Sequence, residues 1–348
     1  MLLPLYVIII GLMLYLTMST VYLLILAIVY FIIDEPKRIT PSRLNEFAIL
    51  VPAHNEELLI SLLCESLLKI NYPRELYEIY IIADNCNDNT VKFSSTFPVK
   101  VLIRNDENRV GKGYAIDWAL GMIALNKFNA ILIVDADNIV DPRILEELNF
   151  MIEQGEQAIQ CYNTVGNRQD SWFTQLLFVS RTVGNILYHH SKYKLGLSSY
   201  LMGNGICFSS KLLDRKKWTA FSIGEDWEYY TQLIKDRIKI SFAVNAKVYH
   251  QESRSLEQAT SQRLRWSRGR FQVLWKYGIK LFRDGLLKCD LYTLDASLPL
   301  IFPNYSLQIN LTILALLLSI FLPSSHIKTF LLITGVCIFF IQMLWFMV

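Results

Sequence analysis

A chain of 348 residues that is 53% hydrophobic and only 19% charged carries more apolar material than one water-soluble core calls for. Its formal net charge of +3 excludes the broad basic surface of a nucleic-acid-binding protein. Six cysteines without C-x-x-C spacing exclude a zinc ribbon or disulfide framework and suit reduced cytosolic thiols.

The apolar excess lies at the two ends. Leu5 to Ile33 runs without a charge, long enough to span a bilayer with tilt, and lacks the basic start and cleavage site of a signal peptide. Lys37, Arg38 and Arg43 follow it, so the next domain is expected in the cytoplasm. Near the other end, Leu298 to Leu322 and Ile327 to Val348 are two further apolar runs, split by Pro323-Ser324-Ser325-His326. Three spans predict a multi-pass integral membrane protein with its C-terminus back in the cytoplasm.

Between the spans, strands alternate with helical patterns. Phe47 to Pro52, Glu78 to Ala83, Val99 to Ile103 and Ala130 to Val134 read as strands. Helices are expected over Glu56 to Ile70, Gly113 to Leu125 and Pro142 to Ile152, the last with Asp141 as N-cap and Pro142 at its first position. This βαβα order predicts an α/β fold, a largely parallel sheet covered by helices on both faces.

Several polar residues fall where such sheets bind ligands, at the carboxyl ends of the strands. Asp135 and Asp137 leave their strand on one side, as residues two apart do. Asp141 already serves the next helix, so this pair is left to hold a divalent cation carrying phosphates. Asp84 leaves the second strand as Asp135 leaves its own, and Asp88 or Asn89 caps the helix that follows. Pro52-Ala53-His54-Asn55-Glu56 forms a loop at the same edge. Arg109-Val110-Gly111-Lys112-Gly113 opens a helix without Walker spacing, yet lets backbone and Lys112 approach a phosphate. Met202-Gly203-Asn204-Gly205 permits close backbone approach, and Glu225-Asp226 begins a helix whose dipole favours acids there. Gln262, Arg265 and Trp266 share one helical face within a pattern from Leu256 to Leu287. The later part, Phe271 to Leu287, has the character of a helix lying in a lipid interface.

In this order the motifs resemble those of glycosyltransferase family 2, in the membrane-embedded branch with cellulose, chitin and hyaluronan synthases. The matching elements are Val51 to Glu57, Ala83-Asp84-Asn85, Gly111-Lys112-Gly113, Asp135-Ala136-Asp137, Gly224-Glu225-Asp226 and the Q-x-x-R-W at Gln262 to Trp266. The resemblance implies a GT-A fold that binds a nucleotide-diphosphate sugar, most often a UDP-sugar, with Mg²⁺ or Mn²⁺. It implies a division into an N-terminal span and linker (1–44), a GT-A domain (45–255), the Q-x-x-R-W and interface helices (256–296) and two C-terminal spans (297–348). Carried over by position, Asp84 and the loop Ala53, His54, Asn55 and Glu56 would hold base and ribose. Asp135 would sit near ribose and diphosphate, Asp137 would bind the metal, and Lys112, Arg265 and Arg109 would face the diphosphate. Of the catalytic pair Glu225-Asp226, Asp226 would be the general base. Gln262 and Trp266 would flank the acceptor beside Met202, Gly203 and Asn204.

Such chemistry needs these residue types. A sugar hydroxyl is a poor nucleophile, so a carboxylate that accepts its proton assists attack. A metal and fixed cations stabilise the departing diphosphate. One base opposite one leaving group gives a single displacement with inversion. The first expectation is a synthase at the plasma membrane extending a β-linked polysaccharide, with an oligomer or export partner to carry the polymer across. The alternative is transfer of one sugar to a membrane lipid, as in ceramide glucosyltransferases, which have few spans. Intact Asp137 and Asp226 argue against a silent nucleotide-sugar binder. Gly224 stands where the family often has threonine, and three spans are fewer than in cellulose synthase.

Overall fold

The computed structural model describes residues 3–38, 40–253 and 256–344. The C-terminal end of the expected third span, residues 345–348, and the boundary residue Ser255 lie outside them. Helix α1 (Leu3–Ile32) precedes an α/β unit. That unit runs β1 (Phe47–Ala53), α2 (Ile60–Leu68), β2 (Tyr77–Asp84), α3 (Thr90–Ser94), β3 (Lys100–Arg104), α4 (Lys112–Met122) and β4 (Ala130–Ile133). It continues with β5 (Asn138–Val140), α5 (Ile144–Glu153), β6 (Ala158–Val165), α6 (Trp172–Val183), α7 (Ser191–Lys194), β7 (Ile206–Ser209), α8 (Ser210–Arg215), α9 (Glu225–Lys235) and β8 (Ile240–His250). Four helices follow the long α10 (Leu256–Val273): α11 (Ile279–Leu287), α12 (Leu291–Ile301), α13 (Tyr305–Ile320) and α14 (His326–Leu344).

The eight strands form one sheet in the order β3-β2-β1-β4-β7-β6-β8-β5. β1 and β4 are buried almost throughout, because helices cover both faces of the sheet. The expectation of a largely parallel sheet holds for β1 to β4 and is corrected for the second half. There β7 runs antiparallel to both β4 and β6, and β5 antiparallel to β8, so the sheet is mixed. The helix expected from Pro142 begins at Ile144 instead. Asp141 still takes the amide of Arg143 at 3.0 Å, capping a turn that leads into the helix. Likewise Glu56 to Leu59 form a turn, and α2 starts only at Ile60.

Among the described residues, α1 and α14 are long and apolar enough to cross a membrane. The middle apolar run is not one straight helix as expected: α12 and α13 meet at a 70° bend and together count as a third candidate span. Pro299 inside α12 and Pro303 between the two helices account for the break, since neither can donate to a continuing ladder. α1, α13 and α14 pack around Ile9, Met13, Leu16, Ala315 and Ile338. A Cβ on Gly335 would approach Leu316 to 2.6 Å and Met13 to 2.8 Å, so glycine sets the spacing of these helices. α10 continues through a wide π turn at Leu274–Gly278 into α11. Along it Phe271, Trp275, Ile279, Leu286 and Leu287 are exposed, the apolar face expected of an interfacial helix.

Candidate active site

The carboxyl ends of β1, β2 and β4 open onto one edge, and cross-strand register decides which side chains meet there. Asp84 lies opposite Arg104 on β3. Both are buried, and Arg104 Nη1 reaches Asp84 Oδ1 at 2.5 Å. Arg104 also binds Asp106 at 3.0 Å and the carbonyl of Arg109 at 2.7 Å, so one guanidinium fixes strand end and loop together. The side chain of Arg109 remains exposed; its backbone is what enters the network. Loops after β1 and β2 lock onto each other. His54 Nδ1 meets the Asp84 carbonyl at 2.7 Å, and Asn55 Oδ1 accepts from the Asn87 amide at 2.9 Å. Asn55 and Asn85 both have positive φ, which asparagine tolerates better than most residues. Asp88 Oδ1 accepts from the Thr90 amide at 2.9 Å, so Asp88 rather than Asn89 supports the start of α3.

Beside this loop pair stand the acids of β4. Lys112 Nζ binds Asp135 Oδ1 and the Gly203 carbonyl, with Glu225 Oε1 3.8 Å away. Burial opposes the charge of Lys112, but Asp135 and Glu225 outweigh it and the ammonium is held more firmly than usual. Glu56 faces the same acids; burial, then Asp137 and Asp135, push its carboxyl up to about 7. Asp137 is raised chiefly by burial, with His250 acting against the shift. His250 arrives through register too, since β8 places it opposite Asn138. Its Nδ1 is 3.7 Å from Asp137 Oδ2, and its Nε2 is buried without a hydrogen-bond partner among the described residues. The nitrogen beside Asp137 is Nδ1, which also meets Asn138 Oδ1 at 3.2 Å; a carboxylate and an imidazole side by side are donors that suit a divalent ion, although no cluster of three such side chains exists among the described residues.

The third part of the site is the start of α9. Asp226 is half-buried, and desolvation followed by the neighbouring Glu225 raises its carboxyl to about 7. Trp227 donates its amide to Asp226 Oδ1 at 2.8 Å. Opposite lies Gly203, at φ +78°, where a Cβ would sit 3.2 Å from Asp226 Oδ2. Gln160 pins that loop, donating to the carbonyl of Asn204 at 2.8 Å and accepting from Met202 at 2.7 Å. Asn204 Oδ1 in turn takes the amide of Asp135 at 3.1 Å, so Met202 to Asn204 tie the two acid groups together.

Gly224 meets Gly269 of α10 back to back. A Cβ on Gly224 would lie 2.9 Å from the Gly269 carbonyl carbon, which explains glycine where a threonine was the family's common choice. This crossing brings α10 against the helix that carries Asp226. Trp266 is partly exposed and lines a cavity of about 600 Å³ together with Met202 and Trp227. The same cavity is walled by Tyr15 and Tyr22 of α1, by Asn163 and Asn185, and by the turn between α12 and α13. Arg265 is exposed and acts on Glu225 through charge, whereas Gln262 is half-buried. Arg270, one turn beyond Trp266, donates to the carbonyls of Pro299 at 2.7 Å and of Phe302, fixing the α12 end to α10.

The residues expected from sequence thus gather in three adjoining groups: Asp84 with the β1 loop, Lys112 with Asp135 and Asp137, and Asp226 with Met202 to Asn204. Sequence reasoning passed over Arg104, His250, Gln160, Asn163 and Trp227. Arg104 and His250 had a readable signal, for each ends a β-branched strand at the edge where the acids stand.

The description "Glycosyltransferase like family 2" matches residues 44–269. A beta-monoglucosyldiacylglycerol synthase of Trichormus variabilis is 26% identical over 237 residues, covering 66% of this chain and 50% of that protein. The "Probable glycosyltransferase YdaM" of Bacillus subtilis is 23% identical over 250 residues, 70% of this chain and 59% of its own. The chain therefore spans about half the length of the curated relatives it matches. Among solved structures, the mannosyltransferase PcManGT from Pyrobaculum calidifontis, in complex with GDP-Man and Mn²⁺, superposes with a TM-score of 0.66 at 18% identity. That likeness covers 97% of this chain and 96% of the other, and it identifies the fold as GT-A.

Proposed function

The chain belongs to glycosyltransferase family 2, and on that premise we propose that it transfers one sugar from a nucleotide-diphosphate sugar to a membrane lipid, with inversion. The observation that carries this reading is the cavity lined by Met202 and Trp227, the residues flanking Gly203 and Asp226, whose far wall is built from α1 and the α12–α13 turn. An acceptor held there keeps its tail among apolar helices and its head against the base. Two or three spans cannot readily enclose a polar tunnel, because each polar group facing lipid costs several kcal/mol unsatisfied. Chain extension, the first expectation from sequence, is therefore the weaker reading. The diacylglycerol-glucosylating relative agrees with a lipid acceptor.

In this reading Asp84, His54 and the β1 loop hold the nucleoside. Lys112 holds Asp135 and steadies the edge that meets the diphosphate, while Arg265 adds positive charge from α10. Asp137 and His250 would hold Mg²⁺ or Mn²⁺, and a metal ion there supplies charge stabilisation for the leaving diphosphate. An imidazole in the set favours Mn²⁺ over Mg²⁺. Asp226 takes the proton from the acceptor hydroxyl as it attacks the anomeric carbon, and Glu225 keeps that carboxyl basic by like charge. The domain that begins at 45 faces the cytoplasm, and the apolar face of α10 and α11 rests on the bilayer.

Purified protein incubated with labelled nucleotide sugars and bacterial lipids tests this. Mass spectrometry should find a single added sugar on an organic-extractable lipid. A ladder of water-soluble oligosaccharides would establish the synthase instead.

A further inference from the structure

Positive charge is not spread evenly over this chain; it gathers on one rod. Residues 256–288 hold eight Lys and Arg against the two acids Glu257 and Asp284, a formal +6, while the whole chain is only +3 and the remainder therefore −3. α10 and α11 lie within that segment and join through the π turn at Leu274–Gly278. One face of α11 packs inward: Leu281 and Gly285 are buried, and a Cβ on Gly285 would come within 2.7 Å of the Leu294 nitrogen. The opposite side is open, with Trp275, Ile279, Leu286 and Leu287 all exposed.

The bases on this rod keep step with that apolar stripe. Trp275-Lys276, Ile279-Lys280, Phe282-Arg283 and Leu287-Lys288 each set a base immediately after an apolar residue. Neighbours in a helix stand about 100° apart, so the bases form a second row beside the first rather than on the far side. A solvated helix face mixes both signs of charge, yet Asp284 is the one acid between 271 and 289. Lys276 lies 3.6 Å from Glu228, and Arg283 lies 3.6 Å from Asp284. Lys280 and Lys288 are exposed and have no carboxylate within ion-pair reach among the described residues. When such an apolar stripe enters the acyl boundary, the cations one row over stand at headgroup depth. A polyanion in water would answer the bases and leave Trp275 and the leucines uncovered. An anionic bilayer covers both, and α12 leads from the end of α11 into the bent candidate span.

We infer that α11 is a docking strip for anionic phospholipid, with Lys276, Lys280, Arg283 and Lys288 meeting the headgroup phosphates. The inference rests on the reading above that α10 and α11 lie on the bilayer, and it adds the chemistry of the surface they meet. The strip selects lipids of net negative charge rather than phosphate as such, because a zwitterionic headgroup brings its own cation. The remainder of the chain, at −3, is repelled by the same surface, so charge turns the strip toward the lipid. Because α10 runs on into α11, headgroups that hold α11 also hold the helix that carries Arg265 and Trp266.

The test gives the full chain in detergent equal amounts of phosphatidylglycerol and phosphatidylcholine, and native mass spectrometry counts the lipids that stay bound. We expect phosphatidylglycerol to be retained about fivefold or more over phosphatidylcholine, with the preference shrinking as salt rises. Lys280→Gln, Arg283→Gln and Lys288→Gln together should bring the two lipids level. In parallel, a fluorophore on Ile279→Cys is placed in nanodiscs with brominated acyl chains, where it should be quenched. Cys86→Ser, Cys289→Ser and Cys337→Ser remove the other thiols that are not buried. Equal retention by the unaltered chain, or a preference that the triple variant keeps, would overturn the inference and, with quenching at 279, leave the bilayer reading standing. Absence of quenching would overturn both. Should the triple variant fail to fold, Lys288→Gln alone, at the C-cap of α11, should lower the preference in smaller measure.

Discussion

In the proposed mechanism Asp226 carries the heaviest chemical load of any single residue. Its carboxyl is raised to about 7 by burial and by Glu225, so it is a base only above that pH. Activity should therefore fall as pH drops through about 7 and level off above it, in a kcat profile measured with saturating donor. Asp226→Asn should lower turnover on the order of 10²–10⁴-fold. Calorimetric affinity for the nucleoside diphosphate should stay near its original value; a parallel loss of binding would remove Asp226 from the base role. At the opposite end of the site, His250 makes a separate prediction. His250→Ala should weaken Mn²⁺ binding in the presence of nucleoside diphosphate about tenfold or more, by calorimetric titration. Unchanged affinity would place the ion elsewhere.

Among the elements, the glycine crossing of α9 and α10 is a close backbone approach between the helix that carries Asp226 and the Q-x-x-R-W helix. A Cβ at Gly269 would stand 2.9 Å from the Gly224 nitrogen and 3.0 Å from its Cα. Gly269→Ala should therefore cost about 1–3 kcal/mol by overpacking, read from unfolding in denaturant. It should also lower turnover more than donor affinity, because the shift moves Trp266 away from Asp226. The elements also divide by how plainly the sequence announced them. β1, β2 and β4 were legible because both of their faces are apolar. β6 was not: Gln160, Asn163 and Thr164 are all buried within it and interrupt the apolar run that marks a strand. Those residues are polar because the strand runs beneath the cavity and holds the Met202 to Asn204 loop. The function that the sequence least revealed is the one that hid its own strand. α6 escaped notice for a different reason: its Ser171 cap was passed over, and Trp172, Leu176 and Val179 leave an apolar face exposed.

At the scale of the whole molecule, Lys37, Arg38 and Arg43 set the expected orientation. Lys211 is exposed on the α/β unit, so Lys211→Cys in a Cys289→Ser background should resist a membrane-impermeant thiol reagent in intact cells. Labelling before permeabilisation would reverse the topology. The motif residues were legible because they sit at strand ends, where period and composition change abruptly. The cavity was not, because its wall joins residues as distant as Tyr15, Asn163, Trp266 and Phe302. No local spacing encodes such a meeting; it arises when α12 turns by 70° and α1 packs against the result.

On the lipid-acceptor reading, that 70° turn also governs how fast the enzyme meets its acceptor. A straight helix would carry the chain directly onward, whereas the bend leaves an alcove, which on the proposed topology opens to the inner leaflet. Encounter then becomes a two-dimensional search, in which crowding within the sheet of lipid matters and the volume of the suspension does not. In mixed micelles, velocity should follow the mole fraction of acceptor and stay level when micelles of fixed composition are diluted. A velocity that tracks bulk concentration would mean that the acceptor reaches the alcove from water.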